Sequence, residues 1–290
     1  MVGAHKAPLL PAAGAPLAVT LMLFLATPAA IMIAVSFLES SFAGIEWHFT
    51  LANYQRLIVD GTALRVLAKS AATGVVVTCI VIVLAYPTAY WIVRRPASHR
   101  ALWLLLLLVP YWISYVIRTY AWYPLLGTTG VLNSLLLAAG ILDTPSPLLL
   151  FSNFSVLLGL VYVYFPFAAI PIYLALDRID RSLLEASADL GARSSQTFWR
   201  VIFPLSLPGT VAGGLLVFIL AAGSYVTPKL LGGPSSIMFG ELIADQFGGT
   251  FNWAFGATLA LAFLAIVSLV LASAGRAFGI KKVFFHGDAA

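Results

Sequence analysis

The chain has 290 residues, 61% of them apolar and only 9% charged, which is more apolar surface than a soluble fold of this length can bury. A soluble enzyme is therefore excluded, and a polytopic membrane protein is expected. The excess of 16 Lys and Arg over 11 Asp and Glu is read as a record of membrane orientation, with lipid and not nucleic acid as the partner.

A helix needs about 20 apolar residues to cross a hydrocarbon core about 30 Å thick, where unpaired backbone does not survive. The first such stretch is 17–38, which follows Lys6. It is about twice as long as a secretory signal core and lacks a clean small-x-small cleavage site, so an uncleaved span is expected. A second span is expected at 70–93. A third, at 101–123, reaches full length only by continuing past Arg118 to Tyr123. The run 131–142 is too short to cross and is read as a helix at the membrane surface. Further spans are expected at 154–176, 209–227 and 255–275. The fold class is thus all-α, with six transmembrane helices in a single domain over 1–290. Pro28, Pro87, Pro110, Pro166 and Pro171 lie inside spans and predict kinks, because each removes a helical hydrogen bond.

Loop charges orient the chain. Lys6, Arg94, Arg95, Arg100, Arg178, Arg181, Arg193, Arg200, Arg276, Lys281 and Lys282 fall in one set of loops, eleven in all. The alternate loops hold Arg56 and Arg65. Both termini are therefore expected in the cytoplasm. Lys69, Arg118 and Lys229 sit near span ends, and Arg118 is expected to snorkel outward or to pair with an acid. Glu39, Glu46, Asp60, Asp143, Glu241 and Asp245 fall on the external side, as ordinary solvated loop acids or as a field for a cation or an external protein.

Little catalytic chemistry is present. The single Cys79 excludes an internal disulfide and a Cys-based zinc site, and His5, His48, His99 and His286 are too scattered for a metal centre. No carboxylate falls inside any span, which argues against an ion-coupled carrier. There is neither a G-x-S-x-G elbow nor an H-E-x-x-H pair. Tyr111, Tyr115, Arg118 and Trp122 recur at i, i+4, i+7 and i+11 on one helical face. Tyr162, Tyr164 and Tyr225 add further phenols. Two readings stand side by side: an aromatic belt at headgroup level, or a lining that passes an ammonium group by cation–π contacts.

The segment 177–208, DRIDRSLLEASADLGARSSQTFWRVIFPLSLP, is the longest cytoplasmic connection and the most charged. Asp177 and Arg181 are spaced as an i, i+4 ion pair. Gly191 is placed to end a first helix, and Ser194 or Ser195 to cap a second. Pro204 and Pro208 are expected to stop that second helix before the fifth span. Such a hairpin either lies on lipid headgroups or presents a docking element to a cytoplasmic partner.

Glu185-Ala186-Ser187, three residues, Gly191, nine residues, Val201, one residue and Phe203-Pro204 resembles the EAA loop of ABC importer permeases. The family pattern is Glu-Ala-Ala, x3, Gly, x9, Ile, x, Leu-Pro, from which Ser187, Val201 and Phe203 depart conservatively. The stretches 109–122, 161–173 and 224–233 resemble the spermidine/putrescine branch, whose relatives also carry opines and phosphonates. The resemblance implies a type I ABC importer permease of a bacterial inner membrane, not itself an enzyme. It makes Glu185, Ala186, Ser187, Asp189, Gly191 and Pro204 the loop that couples to the ATPase. It leaves Tyr111, Tyr115, Trp122, Tyr162, Tyr164 and Tyr225 as candidate pathway residues. It also implies two cytoplasmic ATPase subunits, a second homologous permease and an external substrate-binding protein. ATP and Mg would be bound by the ATPases, with no cofactor or metal in this chain. None of the five lysines follows a glycine, as a phosphate-binding P-loop requires.

Overall fold

The computed structural model describes residues 10–41 and 44–277; Lys6, Lys281, Lys282, His5 and His286 lie outside the described residues. In chain order the elements begin with α1 (Leu10–Ser36), a β1–β2 hairpin (Glu39–Ser41, Gly44–Glu46), α2 (Ala52–Val59) and α3 (Thr62–Val93). Next come α4 (Ala97–Leu108), a 3-10 turn (Val109–Trp112), α5 (Tyr115–Tyr120), α6 (Tyr123–Leu126), α7 (Val131–Ala138) and α8 (Asn153–Asp177). After α9 (Arg181–Asp189) and α10 (Ser194–Thr197), a π turn (Phe198–Ile202) leads into α11 (Phe203–Ala222). The chain closes with α12 (Val226–Leu231), a 3-10 turn (Pro234–Ser236), α13 (Phe239–Gly248) and α14 (Trp253–Ala277).

Among the described residues, four helical stretches are long and apolar enough to cross a membrane: Thr62–Val93, Asn153–Asp177, Ser194–Ala222 and Trp253–Arg276. A bent pair, Ala97–Trp112 with Tyr115–Ala138, makes a fifth. The first expected span, 17–38, coincides with α1, a helix of 27 residues whose sequence carries no charge.

Two compact units are distinguished, one holding Thr62–Leu242 with the residues from Phe263 onward, the other Met1–Gly61 with Ile243–Ala262. The core of the larger unit is a bundle of α3, α8 and α11. Val77, Val81 and Ala85 recur every fourth residue on α3, which lines them along one buried face. Leu160, Val163, Ala168 and Ile172 of α8 and Val217 and Ala221 of α11 complete that core. Lipid tails are as apolar as leucine, so close backbone approach has to supply the attraction between helices. Gly209 and Gly213, one turn apart, provide it. A Cβ at Gly209 would collide with the Ala175 Cβ, and one at Gly213 would stand 3.0 Å from the Ala168 Cα. Polar groups close the remaining gaps: Tyr86 and Ser206 share a 2.7 Å hydrogen bond, the Ser155 hydroxyl donates to the Leu231 carbonyl, and the Phe239 amide donates to the Ser70 hydroxyl.

In the smaller unit the end of α1 is closed by α2. The Asn53 amide donates to the Ser36 and Leu38 carbonyls at 3.1 and 2.8 Å, and Tyr54 meets the Ser36 hydroxyl at 2.7 Å. The Ser40 hydroxyl accepts from the Ala254 amide, and the Arg56 guanidinium lies 4.3 Å from the Phe255 ring centre.

Four expectations are corrected. The third span is not one straight helix: its two limbs meet at 91°. Pro110 lacks an amide and sits in the 3-10 turn, after which Ile113 and Ser114 are extended (ψ 141° and 137°). Pro204 and Pro208 do not stop the second helix of the 177–208 segment. The π turn carries it into α11 by pairing the Phe203 amide with the Phe198 carbonyl, five residues back, so the helix axis survives the amide that Pro204 lacks. The fifth span instead ends at Ala222, before the limit of 227, and the chain turns into α12. Asp177 and Arg181 form no ion pair, because Asp177 ends α8, Arg181 begins α9, and Asp177 pairs with Arg100.

Gly213→Leu should lower the stability of the detergent-purified chain by about 1–3 kcal/mol, because the new side chain must displace the α8 backbone. Gly248→Ala, at a helical glycine where a Cβ would meet no other segment, serves as the control. Thermal unfolding followed by tryptophan fluorescence checks both; equal midpoints for Gly213→Leu and wild type would remove the close-packing account.

Candidate functional site

The connection between α8 and α11 is a helical hairpin with every end closed by local chemistry. Asp180 caps α9: its carboxylate accepts from the Ser182 amide at 3.0 Å. The backbone and side-chain hydrogen bonds from Ser182 hold that carboxyl below its ordinary range. At the other end Gly191 takes φ +73°, as the sequence led us to expect. Its amide donates to the Ala188 carbonyl and the Ala192 amide to the Ser187 carbonyl, the paired bonds of a Schellman turn. The cap of α10 is neither Ser194 nor Ser195. It is Arg193, whose amide donates to the Gln196 side-chain carbonyl at 2.9 Å.

A hydrogen bond of 2.8 Å between the Ser187 and Thr197 hydroxyls joins the hairpin's two helices. Ser187 is thus turned inward and half-buried, whereas Glu185, Ala186, Asp189 and Gly191 are exposed, and Leu190 keeps 88% of its surface. Pro204 lies exposed in the first turn of α11, beyond the π turn. The hairpin is clamped to the bundle by rings. Phe198 packs edge-on against Tyr86 and Tyr90 at 5.8 and 5.9 Å, and Phe203 packs against Tyr86 and Trp199. The Arg100–Asp177 ion pair fastens the start of α4 to the end of α8 beside it.

The aromatic residues of the bent span form a second cluster. Although the helix breaks between Tyr111 and Tyr115, both rings still meet the Arg118 guanidinium, at 4.3 and 5.8 Å. Tyr111 donates to the Tyr162 carbonyl at 2.5 Å, and Trp122 packs edge-on against the Tyr162 ring at 5.7 Å. Tyr115 shares a 2.7 Å hydrogen bond with Thr227. Tyr164 is buried on α8 against Phe167. Tyr225 stands 48% exposed at the start of α12, and among the described residues no ring of the cluster stacks on it. Arg118 corrects a further expectation. It neither snorkels outward nor pairs with an acid: it is 9% exposed, held by two ring faces and, at 3.4 Å, by the Pro110 carbonyl that the break in the helix frees.

Residues 10–278 match the family model described as the inner membrane component of binding-protein-dependent transport systems. The chain belongs to this family. Among its relatives is the spermidine/putrescine transport system permease protein PotB of Salmonella typhimurium LT2, 39% identical over 91% of this chain and 92% of that protein. PotB of Escherichia coli K12 is 38% identical over 91% of this chain and 96% of its own. The fold agrees. A chain of a bacterial ABC transporter involved in the import of alginate superposes with a TM-score of 0.64 at 16% identity, covering 93% of this chain and 94% of that one. A chain of the MetNI methionine ABC transporter gives 0.51 at 22%, covering 78% and 97%. The family consists of transport permeases that sit in the inner membrane, and its ABC importers work with an ATPase and a substrate-binding protein.

Sequence reasoning missed the Ser187–Thr197 bond, the burial of Arg118 and the Arg100–Asp177 pair. The only signal for the first was a hydroxyl where the family pattern has Ala; the other two join residues that no local spacing relates.

Gly191→Val should strain the hairpin by more than about 1 kcal/mol, since a β-branched residue resists positive φ, whereas Gly191→Asn should be tolerated. Hydrogen exchange across α9 reads this directly: faster exchange is expected for the valine variant alone.

Proposed function

We propose that this chain is one membrane subunit of an ATP-driven importer of the linear polyamines spermidine and putrescine. The observation that carries the transport role is the hairpin: a short helix with Glu185, Ala186 and Asp189 exposed, locked at Gly191, joined to α8 by the 178–180 turn and to α11 through α10 and the π turn. An ATPase gripping that surface would move α8 and α11 directly. Glu185, Ala186, Ser187, Asp189, Gly191 and Pro204 form the proposed coupling element, with Ser187 acting from within. The proposed assembly contains two ATPase subunits that hold ATP and Mg, a second homologous permease, and an external binding protein. Both termini face the cytoplasm in this reading. The relatives named for spermidine and putrescine, similar over nine-tenths of the chain, support the substrate.

The proposed pathway passes the aromatic cluster of Tyr111, Tyr115, Trp122, Tyr162 and Tyr164, with Tyr225 at its edge. A polyammonium ion left unpaired in low dielectric is penalised by several kcal/mol per charge. Ring faces and the carbonyls freed at the Ile113–Ser114 break offer partial compensation, each cation–π contact supplying about 0.5–2 kcal/mol. Arg118, buried on the Tyr111 face, repels a cation there and keeps the passage from becoming a deep well. Weak contacts suit transport, because tight binding would slow release.

A second reading follows from the same arginine. A buried guanidinium is a recognition group for an anion, and one relative is a putative 2-aminoethylphosphonate permease, 35% identical over 37% of the chain.

Uptake of labelled spermidine and of 2-aminoethylphosphonate by the complete complex in vesicles separates the two. Spermidine uptake is expected, and Tyr115→Leu with Trp122→Leu should slow it several-fold while the binding protein's affinity stays unchanged. Uptake of the phosphonate alone would overturn the polyamine assignment. Reporter fusions after Gly127 and Gly249 should read external and one after Arg193 internal; an external signal at Arg193 would invert the orientation.

A further inference from the structure

A cavity of about 510 Å³ lies behind the hairpin, between it and the end of the bundle. From α9 it receives Arg181, Leu184 and Ala188, residues at i, i+3 and i+7 and hence on one face. Glu185, Ala186 and Asp189 do not line it, although Glu185, at i+4 from Arg181, borders that face.

The charge in this cavity is unbalanced. Arg94, Arg100 and Arg181 line it against a single carboxylate, Asp177, and Arg100 already engages that carboxylate. Among the described residues, neither Arg94 nor Arg181 pairs with an acid. Arg94 is held in place by the Tyr90 ring, 5.3 Å from its guanidinium carbon. Ser194 and Thr197 add neutral hydroxyls, while Leu176 and Ile202 supply an apolar wall. Guanidinium groups gathered around partly apolar walls repel one another unless an anion joins them. Their planar forks suit the paired oxygens of a phosphate.

The level of the cavity identifies the source of that phosphate. Two membrane-crossing helices end at it, α3 at Val93 and α8 at Asp177. Near the end of α3, Trp91 and Trp103 pack edge-on at 4.7 Å, with Arg95 lying 3.9 Å over Trp91. Paired tryptophans beside an arginine suit the headgroup zone of a bilayer, and basic pockets between helices there suit anionic lipids. We infer that this cavity holds the phosphodiester headgroup of an anionic phospholipid, which bridges the bundle through Arg94 to the hairpin through Arg181. A zwitterionic headgroup would bring an ammonium into an arginine cluster and is disfavoured. Occupancy ties the hairpin to the membrane and restrains α9.

The test uses the full chain, purified in detergent and stripped of lipid, and reads binding by native mass spectrometry and α9 protection by hydrogen exchange. Phosphatidylglycerol should bind about ten-fold or more tighter than phosphatidylcholine and slow exchange in α9, as loss of charge-assisted bonds predicts. Arg94→Gln with Arg181→Gln should abolish that preference. Arg94→Lys with Arg181→Lys, which keeps the charge and replaces the fork, should weaken it several-fold and carries the test if the glutamine pair does not fold. An unaltered phosphatidylglycerol preference in the folded variants overturns the site. Protection of α9 by inorganic phosphate equal to that by phosphatidylglycerol overturns the lipid as its source. Because the readout is binding to this chain alone, it is independent of which solute the complex imports.

Discussion

The contact on which the rest depends is the one between α8 and α11 at Gly209 and Gly213. In hydrocarbon no hydrophobic effect draws helices together, so attraction comes from backbone surfaces near enough for dispersion to accumulate. The Pro171 carbonyl of α8 lies where a Cβ on Gly209 would collide, and the Ala168 Cα would stand 3.0 Å from one on Gly213. These two helices are also the ones the hairpin joins. Their close packing means that a displacement of the hairpin cannot be absorbed locally, since a well-packed interface shifts as a unit.

At the hairpin, three helix ends carry a local hydrogen-bonding cap. Asp180 serves the start of α9, the Gly191 turn its end, and Gln196 the start of α10. These caps help to keep a nine-residue helix formed although isolated helices of that length are marginal in water. The Phe198–Tyr86–Phe203 ring cluster and the Ser187–Thr197 bond then fix its attitude to the bundle. In the proposed mechanism this rigidity is what lets a force applied at Glu185 and Asp189 reach the membrane. The arginine-lined cavity lies against the Arg181–Leu184–Ala188 face of the same helix, which places the proposed lipid contact and the proposed ATPase contact on one element.

The bent third span shows the opposite design. Pro110 and the extended Ile113–Ser114 pair leave backbone carbonyls without helical partners, and Arg118 turns inward to meet one of them. A break of this kind is tolerated at membrane depth only where protein groups satisfy it. The tyrosines around Arg118 hold the broken span in the same way, since Tyr111, Tyr115 and Tyr123 each commit a phenolic hydroxyl to a neighbouring segment.

Composition and periodicity by themselves determined that this is a helical membrane protein, where most of its spans run, and that 177–208 is a helix–glycine–helix hairpin. Those features are local: an apolar run of sufficient length or a glycine after a helical pattern is decided by the residues it contains. Only the tertiary structure decided the inward turn of Arg118, the bend after Pro110, the survival of helix through Pro204, and the choice of Arg100 over Arg181 as the partner of Asp177. Each depends on groups from distant segments competing for the same partner. Arg118 finds ring faces and a freed carbonyl where the sequence offers only an unpaired cation near a span end. Asp177 finds Arg100, 77 positions away, because the ends of α4 and α8 are brought together by packing that no spacing along the chain encodes.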